Sequence, residues 1–238
     1  MKTYLNRIYK ESKEKYFNKL KSDLKNNYKK FIITVNPESL VNATKDKELN
    51  KMLLDENVSL VPDGIAVVKA CKILDIDVTE RIAGIDIAEY LIEECNKQKK
   101  SLYLLGAKEE VIESLVKKIK KEYKNINLLG YSNGYVKDKD KVFKEIIKLK
   151  PDVCLVALGI PHQEKLIYKH LEKFNKGIFV GVGGSFDVMS GTKKRAPKIF
   201  IKLNLEWFYR ILCEPKRLKR FWDNNIKFIF KIKKESKK

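Results

Sequence analysis

Five short runs of β-favouring residues are apolar at nearly every position: 31–35 (Phe-Ile-Ile-Thr-Val), 58–61 (Val-Ser-Leu-Val), 101–105 (Ser-Leu-Tyr-Leu-Leu), 152–158 (Asp-Val-Cys-Leu-Val-Ala-Leu) and 177–182 (Gly-Ile-Phe-Val-Gly-Val). A strand with one wet face alternates. A strand apolar on both sides must be covered on both faces, which is the condition of a parallel sheet. Between the runs lie helical patterns. Residues 109–123 put Val111, Ile112, Leu115, Val116 and Ile119 on one face, and 85–96 do the same with Ile87, Leu91, Ile92 and Cys95. Strand–helix alternation at this spacing predicts an α/β fold with a mainly parallel sheet. The 238 residues suffice for one such domain and an appendage. No apolar run approaches the roughly 20 residues that span a bilayer. Residues 1–5 lack an apolar signal core, so the expected compartment is the cytosol.

The pattern changes near residue 195. Ile199, Leu203, Trp207 and Ile211 recur at spacing four, and beyond Pro215 the residues Leu218, Phe221, Trp222, Ile226, Ile229 and Ile232 keep a helical period among basic neighbours. The division read from this is a core over 1–195 and a basic, all-helical appendage over 196–238. Of the chain's net charge of +20, residues 192–238 hold +12, with 16 Lys/Arg against 4 Asp/Glu. Such a tail points to phosphate, on nucleic acid or on an anionic membrane, and its bland counterpart is a pair of solvated helices covering the sheet. No RNA-binding or helix-turn-helix pattern accompanies it, which disfavours nucleic acid. An amphipathic surface whose apolar stripe meets lipid and whose Lys/Arg meet headgroups is the sharper expectation. The apolar face of 85–95 serves either a core or a second copy of the chain, leaving a homo-oligomer open.

Open parallel sheets bind ligands beyond the carboxyl ends of their strands. Four of the runs end in polar or glycine-rich segments: Asn36-Pro37-Glu38-Ser39, Pro62-Asp63-Gly64, Gly159-Ile160-Pro161-His162-Gln163-Glu164 and Gly183-Gly184-Ser185-Phe186-Asp187. Taken singly, Asn36-Pro37 reads as a helix cap and Asp63-Gly64 as a turn. Together they mark one edge of the sheet, where Gly183-Gly184 lets backbone N–H groups approach an anion. The Gly181-x-Gly183 step continues to Phe186 where a dinucleotide fingerprint has glycine, and no P-loop is present. Cys71, Cys95, Cys154 and Cys213 show no paired spacing with one another or with His162 and His170, so neither a zinc site nor a disulfide scaffold is expected.

Thr34-Val35-Asn36, Pro62-Asp63-Gly64, Arg81-Ile82-Ala83-Gly84, Gly159 through Glu164 and Gly181 through Asp187 stand in order, followed by Arg195-Ala196-Pro197, Leu205-Glu206-Trp207, Arg210, Glu214-Pro215 and Arg217. This ordered set, over roughly residues 30–222, resembles the WecG/TagA/CpsF family of bacterial glycosyltransferases. The resemblance implies a Rossmann-like α/β core and a metal-independent, cofactor-free, inverting transfer from a UDP-sugar donor to a polyprenyl-diphosphate-linked N-acetylglucosamine acceptor. It further implies a protein peripheral to the inner face of the cell membrane. N-acetylmannosamine is the typical sugar, in wall teichoic acid or related surface glycan synthesis, and its uronate, glucuronate or another hexose is the alternative. By the same resemblance Asp63 is the general base, and Arg81, Arg210, Arg217 and Arg220 stabilise the diphosphate. Thr34, Asn36 and Gln163 line the pocket, and Gly183, Gly184 and Asp187 bind the nucleotide. Asp75-Ile76-Asp77 has the spacing of a metal-binding pair but ends a helical stretch, and arginines are the more available neutralisers of a leaving diphosphate.

Overall fold

The computed structural model describes residues 1–237, with the side chains of Arg217 and Arg220 outside the described set. In chain order the elements are α1 (Lys2–Asn6), α2 (Lys13–Lys25), β1 (Lys29–Val35), α3 (Pro37–Ala43), α4 (Lys47–Leu54), β2 (Val58–Pro62), α5 (Ile65–Ile73), α6 (Gly84–Gln98), β3 (Ser101–Gly106) and α7 (Glu109–Glu122). There follow β4 (Asn127–Ser132), α8 (Lys139–Leu149), β5 (Val153–Ala157), α9 (His162–His170), β6 (Gly177–Gly181), α10 (Ser185–Met189), α11 (Lys198–Lys202), α12 (Glu206–Cys213) and α13 (Arg217–Glu235). The strands form one sheet in the order β2-β1-β6-β5-β3-β4, parallel throughout.

The continuous apolar runs are explained by what covers them. Phe31, Ile33 and Val35 enter one hydrophobic cluster and Ile32 the other, and Tyr103 and Leu105 are likewise divided from Leu102 and Leu104. Helices α1, α3, α4, α5, α8, α9 and α13 contribute to the first cluster, and α2, α6, α7 and α10 to the second. The face of α6 read as available to a second copy is used here, because Ile87, Leu91, Ile92 and Cys95 are all buried in the chain's own core. Helix α3, after β1, and α10, after β6, lie against opposite faces, although the two strands are neighbours. The chain therefore leaves these two strands toward opposite faces, and the sheet edge between Asn36 and Gly183 is the position where ligand crevices form in such sheets.

The tail is divided. Phe228 and Ile232 of α13 are fully buried in the cluster that holds α3 and α5, Lys231 donates to the Thr44 hydroxyl at 2.7 Å, and Glu235 pairs with the Met1 amino group at 3.0 Å. The second half of α13 thus belongs to the core packing, whereas Ile199, Leu203, Leu212, Leu218 and Trp222 stand exposed. No helix among the described residues is long and apolar enough to cross a membrane.

Candidate active site

Asp63 is positioned by backbone. Its N–H donates to the Val35 carbonyl at 2.8 Å, extending the β1–β2 ladder by one residue, and the N–H of Ile82 returns to the Pro62 carbonyl at 2.8 Å. Gly64, at φ +107°, makes the turn that follows. The Asp63 carboxylate is consequently held at the start of α6. Its Oδ2 accepts from the Gly84 N–H at 3.4 Å, and its Oδ1 accepts from Nε of Arg81 at 3.2 Å. Thr34 lies behind the same point: a Cβ on Gly84 would come within 3.3 Å of its hydroxyl, so glycine lets α6 start close against β1.

Arg81 continues into the tail. Its Nη2 donates to Oε2 of Glu206 at 2.9 Å, and Oε1 of Glu206 accepts from Nη2 of Arg210 at 2.7 Å. Glu206 is only 3% exposed. Burial works to raise its carboxyl pKa, but Arg210 and Arg81 outweigh that and hold it below the ordinary glutamate range. On Arg81 burial pulls the other way, and Asp63 and Glu206 together keep the guanidinium's pKa above its usual value. The sequence motifs assign no role to Glu206. Its signal was the i, i+4 spacing to Arg210 at the start of an aromatic helix. Arg217 and Arg220 lie on α13, and their side chains are outside the described residues.

The other expected residues line the crevice in different ways. Asn36 caps α3: its Oδ1 accepts from the Ser39 N–H at 2.9 Å, and Oγ of Ser39 accepts the Asn36 N–H at 2.9 Å, a reciprocal box that realises the turn-and-cap reading. Gln163 is buried to 2% exposure, and its Oε1 accepts from the N–H groups of Gly159 at 3.1 Å and Gly183 at 3.0 Å. It therefore stands behind the pocket as a brace joining the loops after β5 and β6. Its Nε2 donates to Glu164 at 2.8 Å, and burial pushes the Glu164 carboxyl up to about 7. Gly183 takes φ +49° with open space where a Cβ would be, and Gly184 is exposed. Asp187 opens toward the tail through Lys193, which lies 3.7 Å from Asp187 and 2.8 Å from Glu214.

Asp75 and Asp77 are exposed on either side of buried Ile76 in the turn leaving α5. Among the described residues no group of three His, Cys, Asp or Glu side chains is arranged to hold a metal ion. Cys71, Cys95 and Cys154 are free and buried, and burial raises the pKa of all three thiols.

The carboxyl edge of the parallel sheet thus carries the Asp63 carboxylate with Arg81, Glu206 and Arg210 beside it. The model of the Glycosyl transferase WecG/TagA/CpsF family matches residues 3–238, and the chain belongs to that family. It is a glycosyltransferase. The chain is similar to a Bacillus subtilis (strain 168) protein named N-acetylglucosaminyldiphosphoundecaprenol N-acetyl-beta-D-mannosaminyltransferase. The two are 46% identical over 189 residues, 79% of this chain and 73% of the relative. Proteins of the same name from Bacillus spizizenii (strain ATCC 23059 / NRRL B-14472 / W23) and Staphylococcus aureus (strain NCTC 8325 / PS 47) are 40% and 38% identical. The first alignment covers 80% of this chain and 74% of the relative, the second 87% and 81%.

Proposed function

We propose that this chain transfers N-acetylmannosamine from UDP-N-acetylmannosamine to undecaprenyl-diphosphate-linked N-acetylglucosamine, in the making of wall teichoic acid or a related surface glycan. The acceptor hydroxyl oxygen attacks the anomeric carbon from the face opposite UDP. The bond from that carbon to the UDP oxygen breaks, its electron pair leaves with UDP, and the hydroxyl proton passes to Asp63. The sugar is inverted. Arg81, with Arg210, Arg217 and Arg220 from the tail, meets the charge that develops on the diphosphate, with no metal ion required for that role. Thr34 and Asn36 line the sugar side, and Gly183, Gly184 and Asp187 hold the nucleotide, with Gln163 fixing the glycine loops from behind. The observation that carries the reading is the strand-end carboxylate of Asp63 facing Arg81 at the crevice edge.

Because the acceptor is lipid-linked, the exposed apolar residues of the tail and its lysines and arginines have a place to act. They bring the site to the anionic inner face of the cell membrane. The test is product formation from UDP-N-acetylmannosamine and a polyprenyl-diphosphate N-acetylglucosamine, beside a panel of the uronate, UDP-glucose and UDP-glucuronate. Asp63→Asn is expected to keep UDP binding and to lose about 100-fold or more in turnover, the usual worth of a general base. Near-normal turnover would remove Asp63 from the role, and preference for another donor would replace the sugar.

A further inference from the structure

We propose that Glu206 is a positioning residue that makes the Asp63 base available only when α12 is docked. The kinetic part of this rests on the transferase reading above. Asp63, Arg81, Glu206 and Arg210 form a file of alternating charge, with contacts of 3.2, 2.9 and 2.7 Å along it. Asp63 follows β2, Arg81 lies in the loop between α5 and α6, and the last two belong to α12, so the file crosses from the sheet edge to the tail. Glu206 is almost completely buried and Arg81 largely so. A buried carboxylate is tolerated only with its partners in place, and losing one leaves an uncompensated charge.

The geometry of Arg81 gives the file its function. A guanidinium can offer two parallel N–H groups to one carboxylate, which is its strongest arrangement. Here it does not. Nε goes to Asp63 and Nη2 goes to Glu206, so among the described residues Asp63 accepts from a side chain through Oδ1 alone, and its Oδ2 has the longer contact to the Gly84 N–H. Glu206 competes with Asp63 for one arginine and keeps the base from being clamped on both oxygens. When α12 leaves, Arg81 loses that second carboxylate and turns wholly to Asp63, which withdraws the oxygen that would receive the acceptor's proton. Docking thus delivers Arg210 and frees the base in one event. An undocked enzyme has neither, so a bound UDP-sugar is not passed to water.

The experiment compares Glu206→Gln with the parent in two readouts: steady-state kinetics with the full chain, and hydrogen exchange of the backbone amides over residues 198–213. The expected result is a kcat lower by about 100-fold, the scale of a misplaced reacting group, with the donor KM within about threefold. Faster exchange across α11 and α12 is expected alongside it. Glu206→Asp, which keeps the charge on a shorter arm, should recover part of both. A parent-like kcat overturns the proposal, and so does a fall in kcat with unchanged exchange. If the parent itself shows no transfer with any donor, the functional reading fails separately, and the exchange comparison still decides whether Glu206 holds α12.

Discussion

The floor of the site and its roof are held by different forces. The floor is the set of loops after β1, β2, β5 and β6, fixed by backbone ladders and by the buried Gln163 carboxamide. The roof is α11, α12 and the first turns of α13, fixed to the floor by the Arg81–Glu206 and Lys193–Glu214 ion pairs. Within the roof, the rings of Trp207 and Phe221 stack at 4.4 Å between centroids. Buried neutral hydrogen bonds hold a fixed geometry and are little screened. Of the two ion pairs, Lys193–Glu214 lies near the surface, weakens with salt and has low net worth, whereas the buried Arg81–Glu206 pair holds only while both partners are in place. The lesson is a floor fixed by backbone under a cover tied to it by charge.

The largest effect expected from breaking that division comes from ending the chain at Arg195. The change removes the roof, and with it Phe228 and Ile232, which are core residues. At about 1.5–3 kcal/mol for each buried side chain, a loss of about 3–6 kcal/mol is expected, read as a lower midpoint of urea denaturation. An unchanged midpoint would show that the second half of α13 is as detachable as the first.

The floor has a pH signature of its own. Glu164 is 2% exposed, its Oε2 has no hydrogen-bond partner among the described residues, and the neighbouring Glu38 adds repulsion to the burial that raises its carboxyl to about 7. A carboxyl raised in the folded state favours folding at low pH, and that contribution is lost as pH rises from about 4.5 to about 7. Glu164→Gln should therefore flatten this part of the stability profile and gain up to about 3 kcal/mol on the parent at pH 8. Denaturation midpoints at pH 5 and pH 8 decide it, and parallel profiles for the two proteins would remove Glu164 as the cause.

The smallest effect belongs to the outer face of the tail. Trp222 and Phe230 are 62% and 68% exposed, so the double change Trp222→Ser, Phe230→Ser leaves the fold untouched. Binding to vesicles containing anionic lipid should weaken by about tenfold, since each ring takes apolar area out of water at the interface. Binding that depends on salt alone and ignores both rings would make the tail a purely electrostatic anchor.

Most of the sheet was legible because its strands are buried on both faces. The exception is β4, an edge strand whose residues Leu128 and Leu129 are half-buried and whose Tyr131 is exposed. Its Gly130 lies so close under Tyr103 that a Cβ would approach the ring to 2.9 Å. Neither a continuous apolar run nor clean alternation survives in such a strand. The convergence of Asn36, Asp63, Gln163 and Gly183 on one edge followed from parallel strands, since all the carboxyl ends face the same way. What each side chain does there was less legible. Asn36 caps its own helix, as its place before Pro37 predicts, whereas Gln163 faces backbone, which depends on loop geometry that no spacing records. The division of α13 was hidden for a related reason. Phe228 and Phe230 look alike in a helical period, and only the position of α3 makes one core and the other surface.

Both tryptophans of the chain, Trp207 and Trp222, lie in the roof, one stacked on Phe221 beside Glu206 and the other open to solvent. The protein therefore carries its own optical reporter, silent about the sheet and placed on the roof. Variants that keep one indole each, Trp207→Phe and Trp222→Phe, separate the two signals without a label. A quenched Trp207 marks closure over bound donor, and a blue-shifted Trp222 marks arrival at lipid. The order in which they change tells whether the membrane or the nucleotide sugar closes the enzyme first.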